Sequence, residues 1–379
     1  MGAVRRSTVA ALAALAALLL LLLARLPPPA RPHSPPPASA NRQVPLSAVH
    51  TSPTPITNRT TPARITTTRR PSSSPPQPKP PSIAAAASQP SKPAPLAPAD
   101  PSQPRPILTG EVYVAGHERP HPELCPALGA KLRLVILITS APSHRAARDA
   151  IRLTWGHYAA RSDVALAFVL GAPPAALRPA VEAEDALYND MIVGRSIDSY
   201  SNMTLKTLSM LEWIDTYCPR APRLLKTDDD MFINVPRLLD FATTHGRTNA
   251  SLTIWGKVIK KSLPKRTTRS KYYVSPVQFP GRVFPDFATG PAYLMTADAV
   301  RPLLAAAPRE RYLRLEDVFV TGVLASKLGI ARRHVTEFYN KKLALHPCAV
   351  QRAISIHMVR YHEQFDLWRK LLDGKTKCT

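Results

Sequence analysis

The feature that most constrains this chain is an apolar segment, residues 224–235, that contains the carboxylates of Asp228, Asp229 and Asp230 in a row. Its apolar start predicts a buried strand that ends at the acids. Three adjacent like charges repel one another and are costly to hold unless a cation neutralises them. Hard oxygen ligands at a strand end suit Mn²⁺ or Mg²⁺, which commonly accompany a diphosphate. A solvated turn that caps the next helix is the alternative, and the apolar residues on both sides of the acids oppose it.

The first 24 residues have the pattern of a membrane-targeting segment. Residues 1–6 are short and basic, and residues 7–24 are uncharged and almost entirely Ala and Leu. We interpret them as a cytoplasmic tail and a signal-anchor transmembrane helix, which would place the remainder of the chain in the lumen. A cleaved signal peptide is the alternative, but no clear small-x-small cleavage site follows the apolar run.

A proline-rich region covers residues 25–106. Residues 27–106 hold 24 of the 42 prolines and show hardly any aromatic or periodic apolar pattern. Such a segment cannot bury enough apolar surface to fold, so the composition predicts an extended, disordered stalk. Residues 107–379 are then the folded, lumenal domain.

The net charge of the chain is +24. Residues 1–106 contain 12 Lys and Arg and one acid, which leaves a formal charge of +13 on residues 107–379. A basic surface can bind nucleic acid, but the sequence shows no zinc-finger, helix-turn-helix or RNP-type pattern. We therefore expect no nucleic-acid partner, and an anionic nucleotide diphosphate, membrane or glycan instead.

The chain contains four cysteines, all in the predicted lumenal domain. None of them forms a CxxC pair, so the spacing typical of a cysteine metal site is absent. An even number of cysteines in a lumenal protein predicts two disulfides. The sequence leaves three pairings open.

From about residue 107 onward, strand and helix patterns alternate. Strands are predicted at 132–139, 164–170, 191–193 and 223–226, with helices at 143–155, 175–189 and an amphipathic one at 203–216. This order predicts an α/β fold with a mostly parallel, doubly wound sheet, whose ligands bind at the carboxyl ends of the strands. The pattern then becomes mixed, with a helix at 235–245, strands near 252–258, 271–274 and 292–296, and helices near 297–305, 317–328 and 361–372.

Glu316 and Asp317 form a second acidic site at the start of a predicted helix. Capping and favourable pairing with the helix dipole would explain both acids. A general base is the functional interpretation, and at most one acid should face the reaction because adjacent residues point in different directions. His357 lies at the end of a short apolar strand. It is either a hydrogen-bonded core residue or a metal ligand. The alternative histidines are His334, His346 and His362.

Arg148 and Arg152 lie four residues apart on one face of the first helix, where a nucleotide would bind in an open α/β sheet. Arginine can bridge phosphates or stack on a base, and a solvated basic helix face is the alternative. Asp198 and Lys206 flank the start of a later helix. Residues 288–293 predict a loop of small residues before a strand, which would let a sugar approach the backbone closely.

Taken together, these segments resemble the β-1,3-galactosyltransferase family of inverting glycosyltransferases, glycosyltransferase family 31. The resemblance covers about residues 130–372. The segments that match the family's motifs, in order, are 150–156, 198–207, 226–234, 287–290 and 316–320. The resemblance implies a GT-A fold, a UDP-sugar donor, Mn²⁺ or Mg²⁺, and a single-pass type II Golgi membrane enzyme with a lumenal catalytic domain.

The resemblance also implies roles for individual residues. Asp317 matches the family's general base, Asp230 and His357 match metal ligands, and Asp228 serves both metal and donor. The residues that we expect to contact the donor are Arg148, Arg152, Asp198, Lys206, Asp228 and Asp229. Residues 286–292 depart from the more glycine-rich or cysteine-containing loop of many relatives, so donor and acceptor identity stay open.

The predicted function is therefore a metal-dependent transfer of galactose, or of N-acetylglucosamine, from a UDP-sugar to the 3-hydroxyl of a glycan on a glycoprotein or glycolipid, with inversion to a β-1,3 linkage. The alternatives are a catalytically silent lumenal glycan-binding relative and a secreted basic glycosaminoglycan binder. We expect the cysteines to pair as Cys125–Cys218 and Cys348–Cys378.

Overall fold

The computed structural model describes residues 105–244, 246–343 and 346–378. The cytoplasmic tail, the signal anchor and nearly all of the stalk, predicted for residues 1–6, 7–24 and 25–106, lie outside these residues. In the described part of the chain, no helix is both long and apolar enough to cross a bilayer.

The described residues form strands and helices that alternate in the first half of the domain. The strands are β1 His117–Arg119, β2 Leu134–Thr139, β3 Val164–Ala172, β4 Met191–Ile197, β5 Arg223–Asp228, β6 Phe232–Ile233, β7 Thr253–Ile259, β8 Phe287–Thr296, β9 Ala331–His334, β10 Phe338–Tyr339 and β11 Ser355–Ile356. The α-helices are α1 Thr109–Val112, α2 Arg145–Arg152, α3 Arg178–Tyr188, α4 Met203–Tyr217, α5 Val235–Thr243, α6 Val300–Ala306, α7 Ala325–Lys327, α8 Pro347–Arg352 and α9 Glu363–Leu371. A π-helix spans Val318–Leu324, directly before α7.

Eight strands form one sheet in the order β1-β4-β3-β2-β5-β8-β7-β9. The neighbours from β4 to β5 are parallel, whereas β8 inserts antiparallel between β5 and β7. Strands β10, β11 and β6 form a small second sheet. The structure thus confirms the prediction of an α/β fold with a mostly parallel sheet and a mixed C-terminal part.

Strand β2 shows why helices cover both faces of this sheet. Val135 and Leu137 pack in one apolar cluster, which includes residues of α4 and α6. Leu134 and Ile136 pack in a second cluster on the opposite face, with Trp155. Successive side chains of a strand point to opposite faces, so a strand that is apolar at every position needs a covering layer on each side.

Helix α4 is longer and more buried than the predicted amphipathic helix. Its residues from Thr204 to Leu211 are all buried, and so are Trp213 and Ile214. The helix lies between the sheet and α6, and the Thr204 hydroxyl donates to the Leu313 carbonyl at 2.6 Å. Contacts on its second side therefore replace the solvent that an amphipathic helix would face.

Two predictions for the C-terminal half were wrong. No strand forms at 271–274, where Tyr273 makes only an isolated bridge to Lys265. Residues 288–293 lie inside β8 rather than in a loop, because β7 pairs with this strand from its first residue, Phe287. The helix predicted near 317–328 does form, as a π-helix followed by the short helix α7.

Two disulfides have the expected pairing. Cys125–Cys218 joins the segment after β1 to the end of α4, with a Cα–Cα distance of 5.6 Å. Cys348–Cys378 joins α8 to the C-terminal tail, with a Cα–Cα distance of 5.3 Å. The second disulfide thereby fixes the helix that precedes β11, the strand after which His357 follows.

Candidate functional site

A cavity of about 530 Å³ opens at the carboxyl end of β5 and the start of β8, beside the π-helix. It brings together the two acidic segments, which lie far apart in the sequence. The charged and titratable residues that line it are Lys226, Asp228, Asp230, Lys265, Lys271, Arg314, Glu316, Asp317 and His357. The rest of its lining is mostly apolar and aromatic and includes Tyr200, Tyr272, Phe284 and Phe287.

Asp228 is held by a lysine from its own strand. Lys226 and Asp228 point the same way because they lie two residues apart in β5. The buried Lys226 ammonium donates to Asp228 Oδ1 at 2.6 Å and to the Gly290 carbonyl at 2.7 Å. Burial alone would lower the pKa of Lys226, but the carboxylates of Asp228 and Glu316 outweigh it and raise that pKa. Lys226 therefore remains a cation at the floor of the cavity.

Asp230 and His357 lie together at the mouth of the cavity. His357 Nε2 is 3.2 Å from Asp230 Oδ2, and the Asp230 side chain is 50% exposed. The other histidines have different partners: the Val258 N–H donates to His334 Nδ1 at 3.1 Å, and the Cys348 N–H donates to His346 Nδ1 at 3.3 Å. His357 is thus the histidine that the fold places beside Asp230.

Asp229 points away from the cavity. Its Oδ2 accepts a hydrogen bond from the Ser140 hydroxyl at 2.7 Å and lies 2.9 Å from His144 Nδ1. Both partners belong to the loop after β2. Asp229 therefore orients this loop, and it does not share the position of Asp228 and Asp230 as the sequence suggested.

Glu316 is buried against the other wall of the cavity. Its Oε1 accepts a hydrogen bond from the Tyr293 hydroxyl at 2.6 Å, and its Oε2 is 3.6 Å from the Lys226 ammonium. Burial raises the pKa of Glu316 to about 7, although Lys226 acts in the opposite direction. Glu316 therefore belongs to a buried network that contains Lys226 and Tyr293.

Asp317 caps the π-helix and also reaches the cavity. Its Oδ1 accepts from the Val318 N–H at 2.8 Å, and its Oδ2 accepts from the Gly290 N–H at 3.2 Å. Burial raises the pKa of Asp317, against the effect of these two hydrogen bonds. Capping and a role as a base are thus compatible, because an oxygen that accepts one hydrogen bond retains a second lone pair.

Gly290 lies in contact with both acids. A Cβ atom at this position would be 3.1 Å from Glu316 Oε2 and 3.6 Å from Asp317 Cβ. The sequence suggested that small residues here leave space for a sugar. At Gly290, the missing side chain instead leaves space for the carboxylate of Glu316.

Arg148 and Arg152, which the sequence predicted to contact the donor, instead form ion pairs with acids outside the cavity. Arg148 is fully buried, and two of its nitrogens each donate to Glu184 at 2.7 Å. Arg152 donates to Glu184 at 2.8 Å and to both oxygens of Asp190. Neither arginine lines the cavity. The sequence did not reveal these ion pairs, because the acids that bind the two arginines lie on α3 and just after its end.

We expect Glu184→Gln to destabilise the protein while leaving its affinity for UDP nearly unchanged. Breaking a buried pair leaves Arg148 as an uncompensated buried charge, which costs about 3–5 kcal/mol. Urea unfolding and UDP titration measure the two effects. Arg145→Gln is the control, since Arg145 is a half-exposed arginine on α2, the helix that carries Arg148. A loss of UDP affinity without a loss of stability would restore the nucleotide-binding interpretation.

Asp198 and Lys206 form a second pair outside the cavity lining. The Lys206 ammonium is 2.7 Å from Asp198 Oδ2 and donates to the Ser140 carbonyl at 2.8 Å. The Gly171 N–H donates to the same Asp198 oxygen at 2.7 Å. The pair therefore links the ends of β2 and β3, where an open α/β sheet binds its ligand.

No sequence pattern indicated a role for Lys226, Lys271 or Arg314. The position of Lys226 could have been predicted from sequence. Side chains two residues apart in a strand point to the same face, so Lys226 is expected to lie beside Asp228. Lys271 and Arg314 have no such pattern, since Lys271 lies in the long β7–β8 connection and Arg314 in an irregular segment before the π-helix, where no periodicity places a side chain.

A family model described as "Galactosyltransferase" matches residues 146–336, more than half of the chain. This match includes Asp228, Asp230 and Asp317 but not His357. Among solved structures, the galactosyltransferase LgtC in complex with donor and acceptor sugar analogues covers 63% of this chain and 96% of its own chain. The TM-score is 0.34 and the sequence identity is 9%.

Curated relatives have higher identity. Human β-1,3-galactosyltransferase 1 is 35% identical over 246 residues, which cover 64% of this chain and 74% of that protein. Rat β-1,3-galactosyltransferase 4 is 35% identical over 243 residues, 57% of this chain and 65% of that protein. Human lactosylceramide 1,3-N-acetyl-β-D-glucosaminyltransferase is 32% identical over 268 residues, 68% of this chain and 70% of that protein. This chain therefore belongs to the galactosyltransferase family, as the motif resemblance implied, and is a glycosyltransferase.

Proposed function

We propose that this enzyme moves galactose or N-acetylglucosamine from a UDP-sugar to the 3-hydroxyl of an acceptor glycan, with inversion to a β-1,3 linkage and with a requirement for a divalent metal ion. The observation that carries the proposal is the single cavity that contains Asp317 together with Asp228, Asp230 and His357. The names of the relatives, which include 1,3-galactosyl and 1,3-N-acetylglucosaminyl transferases, support the choice of sugars and linkage.

Asp317 is the proposed general base. Two backbone N–H groups orient its carboxylate, and part of the side chain remains accessible from the cavity. A base becomes more effective as its pKa approaches the operating pH, and burial shifts the pKa of Asp317 in that direction. Asp317 takes the proton of the acceptor hydroxyl while that oxygen attacks the anomeric carbon from the face opposite UDP. The single displacement requires no nucleophilic side chain.

The residues at the mouth of the cavity fit a divalent cation in part. Asp230 and His357 supply a hard oxygen and an imidazole nitrogen within 3.2 Å of each other, a combination that suits Mn²⁺. Asp228 precedes Asp230 by two residues, but its Oδ1 already accepts a hydrogen bond from Lys226. Among the described residues, no cluster of three or more His, Cys, Asp or Glu is close enough to be a preformed metal site. We propose that Asp230 and His357 hold the ion, with Asp228 alongside.

When bound, Mn²⁺ or Mg²⁺ would offset the charge of the diphosphate as UDP leaves. The residues of the chain do the remaining work. Lys226 fixes Asp228 and balances its charge, while Asp317 and its backbone donors fix the base. The apolar part of the cavity, including Phe284 and Phe287, limits access of water that would hydrolyse the donor.

We also propose a Golgi location, with a single-pass type II topology and residues 107–379 in the lumen. The basic and apolar pattern of residues 1–24 supports the topology. The two disulfides support a lumenal domain, since disulfides persist in oxidising compartments. The acceptor would then be a glycan on a glycoprotein or glycolipid, and no nucleic acid is involved.

A screen of donors against acceptors tests the proposal. The purified full chain is incubated with UDP-galactose or UDP-N-acetylglucosamine, Mn²⁺ and a panel of glycans, and the linkage of each product is determined by NMR. We expect a β-1,3 product from one of these donors. Glycan binding without turnover would favour the silent relative, and salt-sensitive glycosaminoglycan binding without turnover would favour the basic binder.

A further inference from the structure

One side of the cavity is basic, and the proposed chemistry does not use it. Residues 260–286, which connect β7 to β8, contain seven Lys or Arg and a single acid, Asp286. Among the described residues, none of these seven cations forms an ion pair. A surface of one sign that lines a concave site attracts a ligand of the opposite sign.

The connection is held in place by its own contacts. The backbone of Lys265 forms an isolated β-bridge with that of Tyr273. The Arg266 guanidinium donates to the carbonyls of Val274 at 2.8 Å and Phe279 at 2.7 Å. The ring of Phe279 packs against buried Phe284 with a centroid distance of 4.9 Å. The cations of this connection therefore project from a fixed backbone, which lowers the entropic cost of binding a ligand.

Three cations line the cavity on this side: Lys265 and Lys271 belong to the connection, and Arg314 belongs to the segment before the π-helix. Arg314 donates to the Lys271 carbonyl at 3.1 Å, and no carboxylate pairs with it among the described residues. Its Nε is buried and has no hydrogen-bond partner in the described part of the chain. A buried donor without a partner is costly, so a ligand that accepts from Arg314 would remove that cost.

This basic side borders the proposed base. Tyr200 lines the same cavity, with its ring 5.9 Å from the Arg314 guanidinium carbon. The charges of Lys271, Arg314 and Asp317 all act on the Tyr200 hydroxyl. Tyr200 and Tyr272 line the same cavity as Asp317 and the cations, so the sugar next to an acceptor hydroxyl at Asp317 has these two rings within the same cavity.

We propose that Lys271 and Arg314, with Lys265, bind a carboxylate on the acceptor, so that the preferred acceptors are acidic glycans. The inference rests on the proposed function because it concerns the acceptor of that transfer. Arginine suits this ligand since its planar guanidinium can donate two parallel hydrogen bonds to a carboxylate. The two tyrosines supply the aromatic surface for the sugar ring.

The test compares each acidic acceptor with its own methyl ester. The probes are oligosaccharides that carry glucuronic or sialic acid beside a sugar with a free 3-hydroxyl. Esterification removes the charge and little else. With the full chain we expect kcat/KM to be roughly tenfold or more higher for at least one acid than for its ester, the size expected for a charge-assisted hydrogen bond.

Substitutions then locate the charge that recognises the acid. Arg314→Gln and Lys271→Gln should each reduce the preference for the acid over the ester, and the double variant should bring the ratio close to one. Arg314→Lys should retain part of it. Arg269→Gln is the matched control, since Arg269 is an exposed cation of the same connection that does not line the cavity. It should leave the ratio unchanged.

Two further measurements separate the outcomes. Hydrolysis of the UDP-sugar in the absence of acceptor reports on the donor site alone. Donor hydrolysis or transfer without a preference for any acid over its ester would overturn this inference and leave the proposed function intact. Absence of both hydrolysis and transfer would overturn both. An equal rise in KM for the UDP-sugar with acid and ester in the Arg314 and Lys271 variants would show that the cations bind the diphosphate, which would also overturn the inference.

Discussion

Asp317→Asn is expected to reduce turnover by about two orders of magnitude or more, within the range for loss of a general base. The change keeps the size of the side chain, and the amide oxygen can still accept from the Val318 N–H. It removes the charge and the basicity that proton abstraction requires. Affinity for UDP should be nearly unchanged. Steady-state kinetics and UDP titration measure both effects, and thermal unfolding verifies that the variant is folded.

The pH profile provides a second measurement of the same residue. Turnover by the unmodified enzyme should fall as the pH decreases through the pKa of Asp317, because protonation removes the base. Burial raises that pKa, so the acid limb should lie above the usual range of an aspartate. Glu316→Gln should retain more activity, since Glu316 faces Tyr293 and Lys226. Near-normal turnover by Asp317→Asn would make Glu316 the better candidate and leave Asp317 as a helix cap.

Loss of the metal is the second large effect that we expect. Chelation should abolish transfer, and Mn²⁺ should restore it. Asp230→Ala should lower turnover by roughly a thousandfold and weaken binding of UDP, because a bound ion contributes several kcal/mol of charge stabilisation. Asp230 is half exposed, so the folded structure should tolerate the change. Activity assays with controlled metal concentration measure the effect.

Asp229→Asn is the matched comparison for this substitution. It alters the next acid in the same run, but Asp229 contacts Ser140 and His144 rather than the cavity. Its activity should therefore be reduced less than that of Asp230→Ala. Equal effects of the two substitutions, or full activity in the presence of chelator, would contradict the assignment of Asp230 to a metal ion.

The part of the fold that follows from sequence is the part set by local pattern. The continuous apolar run of β2 predicts a strand covered on both faces, and it forms one. The alternation of strands and helices up to Asp228 predicts the parallel half of the sheet, and with it the strand end at which the acids lie. Motif resemblance then indicated that Asp317 and His357 belong with these acids, and the structure places both at one cavity with Asp228 and Asp230.

The remaining features depend on contacts between distant segments. The antiparallel insertion of β8 between β5 and β7 has no local signal, although it brings Gly290 to Lys226. Arg148 has the spacing of a phosphate ligand, yet Glu184 on a different helix binds it. Sequence periodicity describes one element at a time and cannot show which partner a buried charge will find.

Gly290 holds two acidic residues of the cavity, Asp228 and Asp317, at a fixed distance from each other. Its carbonyl accepts from Lys226, which holds Asp228, while its N–H donates to Asp317. One residue of β8 therefore sets the spacing between Asp228 and Asp317. The connection 260–286 reaches the cavity without contributing to this spacing. If Lys271 binds the acceptor as proposed, mutations in that connection would change which glycan is modified without moving Asp228 or Asp317, and the site could diversify in evolution through its acceptor alone.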